Sequence, residues 1–130
     1  MPTGPATAVT VSIARDPALV RTVRLIAAAV ARRSGGDEEF VEEVRLAVGE
    51  ACALLVGEQS GHSSEPVTVV MALGEQLRVD VESHAGIVLA DPADGIEPWA
   101  LLRGLIDDFH IEQNSSATTV SMSWPAGPSV

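Results

Sequence analysis

Two short apolar segments separated by only three residues constrain the fold of this chain most strongly. VTVVMAL (67–73) and LRVDVES (77–83) are rich in valine and flank the connection GEQ (74–76). A connection of this length between two such segments is typical of a β-hairpin, whose strands run antiparallel. The middle of the sequence therefore predicts a pair of antiparallel strands.

The residues before this hairpin predict one strand and a helix. ATAVTVSIA (6–14) alternates apolar and hydroxyl residues, which is typical of a half-buried strand. Asp16 and Pro17 suit the N-cap and the first position of a helix that continues to about Arg33, where SGG (34–36) ends it. The apolar stripe predicted for this first helix comprises Val20, Val23, Leu25, Ile26, Ala29 and Val30.

A second helix is predicted to begin after Asp37, whose side chain suits an N-cap. Glu38 and Glu39 would lie in its first turn, where the helix dipole favours negative charge. Apolar residues recur at helical spacing through the rest of the segment. Those expected to face the core are Phe40, Val44, Ala47, Val48, Ala51 and Leu55.

The C-terminal third predicts one short helix and a second hairpin. WALLRGLIDDF (99–109) has helical spacing, and FHIEQ (109–113) and ATTVSMSW (117–124) form the closing strands. The predicted order is β-α-α-β-β-α-β-β. This order favours an α+β two-layer sandwich, a mostly antiparallel mixed sheet with helices on one face. We expect a single domain over residues 1–130, with a core over about 6–124.

Composition excludes several function classes. The formal net charge of −10 would repel phosphate backbones, so we expect no direct nucleic-acid binding. All eight basic residues are arginine, which excludes a P-loop lysine and Schiff-base chemistry. No long apolar run predicts a membrane span, and no basic stretch followed by an apolar run predicts a secretion signal. These features favour a cytoplasmic protein.

The residues that could bind a metal or act as nucleophiles are few and scattered. Cys52 is the single cysteine, and its alanine and leucine neighbours predict a small buried hydrophobe. His62, His84 and His110 have no spacing typical of a zinc site. We therefore expect no metal site in this chain.

Two segments resemble a known family. VEEVRLAVGEACALLVGE (41–58) is similar to the second helix of the anti-sigma factor serine kinases, in which that helix reads LAVxEAxxNA. LLRGLIDDFHIE (101–112) and ATTVSMSW (117–124) resemble the last helix and closing strands of the same family. These kinases are small bacterial members of the GHKL, or Bergerat-fold, ATPase superfamily. The resemblance covers most of residues 8–124 and implies a Bergerat-like fold.

The resemblance also implies where nucleotide chemistry would lie. The first box of the family has a glutamate that acts as the base and, four residues later, an asparagine that holds Mg²⁺. Glu50 occupies the first position, but Leu54 occupies the second, and a leucine offers no oxygen to Mg²⁺. Glu50 is therefore a candidate for a vestigial base. The alternative is an ordinary acidic residue at the rim of the former pocket.

The other two boxes depart from the family as well. The Asp-x-Gly-x-Gly box corresponds to ESHAGIVL (82–89), where Ser83 falls at the aspartate position and Gly86 is the remaining glycine. Gly86 is therefore the candidate cofactor-binding residue. The glycine-rich turn of the third box is replaced by GIEPWALL (95–102). Trp99 in this segment is expected to be a packing residue, the alternative being that it fills the space of the adenine in relatives. We expect no bound ATP or Mg²⁺.

Partner binding is the third feature that the resemblance implies. In the family, the early part of the first helix contacts the sigma factor and its antagonist, and an arginine falls at the position of Arg21. Arg21 and Arg24 are therefore candidate partner-binding residues, the alternative being ordinary surface charge.

Three functions follow from these features. The favoured one is a regulatory protein that binds a sigma factor or a STAS-type anti-sigma antagonist without nucleotide and has no enzymatic activity. The second is an active serine kinase that uses Glu50 as the base and holds Mg²⁺ through another residue such as Glu58. The third is a structural subunit that forms a homodimer through its sheet.

Overall fold

A five-stranded sheet and three α-helices make up the part of the chain that the computed structural model describes, which is residues 7–57, 65–84, 100–106, 108–113 and 117–125. The order of these elements confirms the predicted order and the α+β class. In chain order they are β1 (Thr7–Ile13), α1 (Val20–Arg33), α2 (Glu38–Gly57), β2 (Val67–Leu73), β3 (Gln76–Ser83), α3 (Ala100–Leu105), β4 (Phe109–Gln113) and β5 (Thr118–Pro125).

The sheet has the strand order β1-β2-β3-β5-β4, and every neighbouring pair is antiparallel. Leu73 lies opposite Leu77, so β2 and β3 form the hairpin that the sequence predicts. Val81 lies opposite Val69 on one side and Val120 on the other. This register places apolar residues of three adjacent strands side by side on one face.

Alternation along the central strands separates a buried face from a polar face. The buried apolar residues of these strands are Val67, Val69, Met71, Leu77, Val79, Val81, Val120, Met122 and Trp124. α1 and α2 contact β2, and α2 also contacts β3, so both helices cover the sheet. Thr68, Asp80 and Ser121 alternate with the buried residues and are only half-buried. The side chain of Trp124 also donates from Nε1 to Glu43 Oε2 of α2 at 2.9 Å.

The first helical segment begins with a 3-10 turn rather than with α-helix. This turn covers Pro17–Leu19, and its N-cap is Asp16, whose carboxylate accepts a hydrogen bond from the Ala18 N–H at 3.0 Å. α1 follows at Val20, three residues later than predicted. Gly35, at φ 89°, is in the left-handed region that a residue following a helix C-terminus commonly adopts.

The buried face of α1 differs from the predicted stripe at two positions. Leu25 is 65% exposed and Ala29 is exposed, whereas Ala27, Ala28 and Ala31 are buried instead. α1 packs against α2 as well as the sheet, and alanine allows helix backbones to approach closely. The close packing of α1 on α2 therefore buries the side of α1 that carries these alanines, and Leu25 stays on the exposed side.

The predicted core face of α2 is confirmed. Val44, Ala47, Val48, Ala51 and Leu55 are buried, and Phe40 is half-buried against them. No helix in the described part of the chain is long and apolar enough to cross a membrane.

The C-terminal helix is shorter than predicted. α3 ends at Leu105, and Phe109, which the helical pattern included, begins β4 instead. The predicted positions Gly86 and Trp99 lie outside the described residues, as do Glu58 and His62.

Candidate functional site

The first part of the candidate site is the face of α2 that carries Glu50 and Leu54. One helical turn separates the two residues, so their side chains lie on the same face. Glu50 is half-buried, and its carboxylate has no hydrogen bond or ion pair within the described residues. Leu54 is half-buried and packs against the core. The position that would hold Mg²⁺ therefore supplies hydrocarbon, which cannot act as a ligand.

The second part is the edge of the sheet where β3 ends and β5 begins. Ser83 is the last residue of β3, lies opposite Thr118 and is fully buried. Its hydroxyl accepts a hydrogen bond from Arg15 Nη2. Arg15 also donates from Nε to the Glu65 carbonyl at 2.9 Å and from Nη1 to the Leu55 carbonyl at 2.8 Å. A guanidinium thus reaches the position where the resemblance expects an adenine-reading aspartate.

Arg15 changes the hydrogen-bonding character of this edge. The adenine amino group is a donor and needs an acceptor, whereas a guanidinium presents only donors. The hydroxyl of Ser83 already accepts from Arg15. The Oγ1 of Thr118 is buried and has no hydrogen-bond partner in the described part of the chain. Two neutral hydroxyls beside a guanidinium therefore stand where the resemblance implies a carboxylate.

Sequence reasoning missed Arg15 because no local pattern marks it. Its hydrogen-bond partners lie 40, 50 and 68 residues further along the chain. Only the folded sheet brings the end of β1, the end of α2 and the end of β3 to one place.

The third part is a cavity of about 530 Å³ between the N-terminal segment of α1 and the C-terminal half of α2. Arg21 and Arg24 both line it, so the structure brings the two predicted partner-binding residues to one place. The side chain of Arg24 crosses α2 at Gly49, where an added Cβ would lie 2.3 Å from Arg24 Nε. That Nε is buried and has no hydrogen-bond acceptor among the described residues.

Cys52 precedes Ala53 of the cavity wall in the sequence but is not a nucleophile at neutral pH. The residue is fully buried, as predicted. Burial raises the pKa of its thiol to about 11, and the positive charge of Arg24 offsets part of that rise. The reactive thiolate is therefore a very small fraction at neutral pH.

The described residues contain no group of three or more histidine, cysteine or acidic side chains that could hold a metal ion. His110 is exposed on β4. His84 lies 3.1 Å from the carboxylate of Glu82, from Nε2 to Oε1.

Comparison with known proteins agrees with this architecture. A family model described as a histidine kinase-like ATPase domain matches residues 13–124. The fold is similar to the crystal structure of the RsbU and RsbW domains of Rv1364c from Mycobacterium tuberculosis, with a TM-score of 0.72 and 19% identity. That match covers 97% of this chain and 35% of the other, so this chain spans about a third of the length of the chain in that structure. No curated protein sequence matches this chain.

The family match extends from the end of β1 to Trp124 and therefore includes the three α-helices and strands β2 to β5 almost completely, but only the last residue of β1. It confirms the resemblance to the superfamily of the anti-sigma factor serine kinases. The chain belongs to the histidine kinase-like ATPase domain family.

Proposed function

We propose that this chain is an anti-sigma-factor-like regulatory protein that binds a sigma factor or a STAS-type anti-sigma antagonist without bound nucleotide. The fold is similar to a structure whose chain includes an RsbW domain, and the family is that of histidine kinase-like ATPase domains. Binding of a protein requires only a complementary surface, so the departures from the nucleotide boxes cost this function nothing.

Leu54 is the observation that carries the proposal. It stands four residues after Glu50, on the same face of α2, and its side chain packs against the core. Mg²⁺ requires oxygen ligands in near-octahedral geometry, and no rotation of a leucine can supply one. Arg15 supports the same conclusion, because its donors lie at Ser83, where an acceptor for adenine is needed.

The surface that we propose for the partner is the N-terminal half of α1. Arg21 is exposed and Arg24 is half-buried, and neither forms an ion pair with a described carboxylate. Unpaired arginines are favourable partners for acidic side chains and are common at the centres of protein interfaces.

The test is a binding measurement between the purified chain and purified sigma factors or STAS-type antagonists, with nucleotide removed enzymatically. We expect binding without Mg-ATP and no change on its addition. Arg21→Glu should weaken binding at least tenfold, whereas Arg33→Glu, an exposed change at the other end of α1, should not. Binding that appears only with Mg-ATP would contradict the proposal.

The retained glutamate favours one alternative, an active serine kinase. Glu50 is half-buried and has no partner in the described residues, so a base could act from this position. A phosphate-transfer assay on a STAS-type antagonist distinguishes the two functions. We expect no transfer by the unaltered protein or by Glu50→Ala. Transfer that is lost in Glu50→Ala would establish the kinase.

A further inference from the structure

The cavity between α1 and α2 has the size of a site for a small molecule. Its volume of about 530 Å³ falls within the range typical of ligand pockets, roughly 300–1,000 Å³. Such a volume is larger than one inserted side chain requires. Its walls come from the 3-10 turn, from α1 and from α2, which are held together by the core.

Among the described residues that line the cavity, the charged ones are both arginines, and no described carboxylate pairs with them. Arg32, Arg45 and Arg78 each pair with a nearby carboxylate elsewhere in the molecule. Arg21 and Arg24 have no such pair within the described residues, although the chain has a net charge of −10. A buried guanidinium nitrogen without an acceptor is unfavourable. An anion that contacts Arg24 would relieve part of that cost.

The rest of the lining that the structure describes is apolar, which indicates that the ligand also has an apolar part. The uncharged residues of the cavity wall are Pro17, Ala18, Val20, Ala53 and Val56. A purely inorganic anion would leave these residues in contact with water. A ligand with one anionic group and an apolar body would satisfy both parts of the wall.

This cavity is separate from the nucleotide boxes. Gly49, Ala53 and Val56 are spaced i, i+4 and i+7, so they share the face of α2 that meets α1. Glu50 and Leu54 lie one position further along, which turns them by about 100° around the helix axis. A ligand in the cavity would therefore not occupy the position of the nucleotide.

We propose that the cavity binds a small organic monocarboxylate whose carboxylate contacts Arg21 and Arg24 and whose apolar body lies against Ala53 and Val56. The planar guanidinium matches a carboxylate through paired hydrogen bonds. This proposal does not depend on the proposed protein partner, because the described residues that line the cavity all belong to this chain.

The test uses 2-naphthoate as the probe, with titration calorimetry and amide NMR shifts on the isolated chain. We expect a dissociation constant of about 1 mM or lower, with shifts confined to the start of α1 and the second half of α2. The neutral analogue 2-naphthamide and the short anion acetate should each bind at least tenfold more weakly. Equal binding of the neutral analogue, or no binding of 2-naphthoate at 5 mM, would refute the proposal.

Variants locate the site. Arg24→Gln should weaken 2-naphthoate binding about tenfold, since it removes a charged hydrogen-bond donor, and the matched change Arg33→Gln outside the cavity should leave it unchanged. Ala18→Phe, at an exposed wall position, should block entry while the circular dichroism spectrum stays that of the unaltered protein. Retained affinity in both Arg24→Gln and Ala18→Phe would place the ligand elsewhere and overturn the assignment.

A competition arm separates this inference from the proposed function. Displacement of 2-naphthoate by a purified partner would show that the partner and the ligand both bind at Arg21 and Arg24, and would support both proposals. A folded chain that binds 2-naphthoate but no sigma factor or antagonist would support the cavity and contradict the proposed partner. Binding of a partner without any binding of 2-naphthoate would support the proposed partner and contradict the cavity ligand.

Discussion

Gly49 determines how closely α1 and α2 approach around Arg24. Its missing side chain leaves room for the stem and Nε of Arg24, which lie 2.3–3.0 Å from where a Cβ would be. The same residue precedes Glu50, so one position serves the contact between helices while the next lies on the side where the resemblance implies nucleotide chemistry. The two roles are separated by the geometry of a single helical step.

Gly49→Ala should displace Arg24 with little effect on stability. The atoms in the way belong to a flexible side chain that can move, and alanine is favoured over glycine inside a helix by about 1 kcal/mol. We therefore expect the free energy of unfolding to change by less than about 1 kcal/mol. The Arg24 Nε–H resonance should shift clearly in NMR spectra. A loss of several kcal/mol in urea denaturation would show that the Arg24 side chain cannot move.

Cys52 should make the protein less stable in alkali. Burial raises the pKa of its thiol from 9.0 to about 11, so above pH 9 the unfolded chain loses a proton that the folded chain retains. Stability is therefore complete below pH 9 and falls by roughly 1.4 kcal/mol per pH unit up to pH 11. The chain has no lysine and no tyrosine, whose side chains would otherwise titrate in this range.

Urea denaturation between pH 8 and pH 11 measures this effect, with Cys52→Ala as the control. The variant is expected to lose stability at every pH because of the smaller side chain, but its stability should change little with pH in this range. An equal slope in both proteins would exclude the thiol as the cause.

At the scale of elements, Arg15 connects one edge of the sheet to α2. It lies two residues after the end of β1. Its side chain donates hydrogen bonds to the Leu55 carbonyl of α2, to the Glu65 carbonyl before β2 and to Ser83 of β3. Carbonyls in the last turn of a helix have no partner within the helix. Arg15 therefore caps a carbonyl at the C-terminus of α2 and also joins that helix end to the edge of the sheet.

Arg15→Met should destabilise the fold by about 2–3 kcal/mol, because it leaves a buried hydroxyl and a helix carbonyl without their donor. Hydrogen exchange should become faster at the end of α2 and around Ser83 before it changes elsewhere. Arg33→Met, on the exposed last turn of α1, is the matched control and should change stability by less than about 0.5 kcal/mol. Similar effects of the two substitutions would mean that the Arg15 contacts contribute little.

For the whole molecule, Mg-ATP should leave thermal stability unchanged. A ligand at a hundredfold excess over its dissociation constant would raise the free energy of unfolding by about 2.7 kcal/mol, which corresponds to roughly 10 °C for a domain of this size. We expect a shift below about 1 °C in 1 mM Mg-ATP, with ATP plus EDTA as the control. A magnesium-dependent rise of several degrees would contradict the absence of nucleotide binding.

Local sequence patterns predict some features of the whole molecule and not others. The hairpin of β2 and β3 and the core face of α2 follow from periodicity, because each pattern is complete within one segment. The exposure of Leu25 does not, because α1 has apolar residues on more than one side. Which side is buried depends on how closely α2 approaches.

The sequence by itself determined the element order and the α+β class, and through the resemblance it predicted the loss of a Mg²⁺ ligand at Leu54. Each of these depends on residue type and on spacing within a single segment. Only the tertiary structure placed Arg15 at Ser83 and gathered Arg21 and Arg24 around one cavity with Ala53. These contacts join residues far apart in the chain, and no local pattern encodes them, because packing of helices on the sheet decides which distant residues meet.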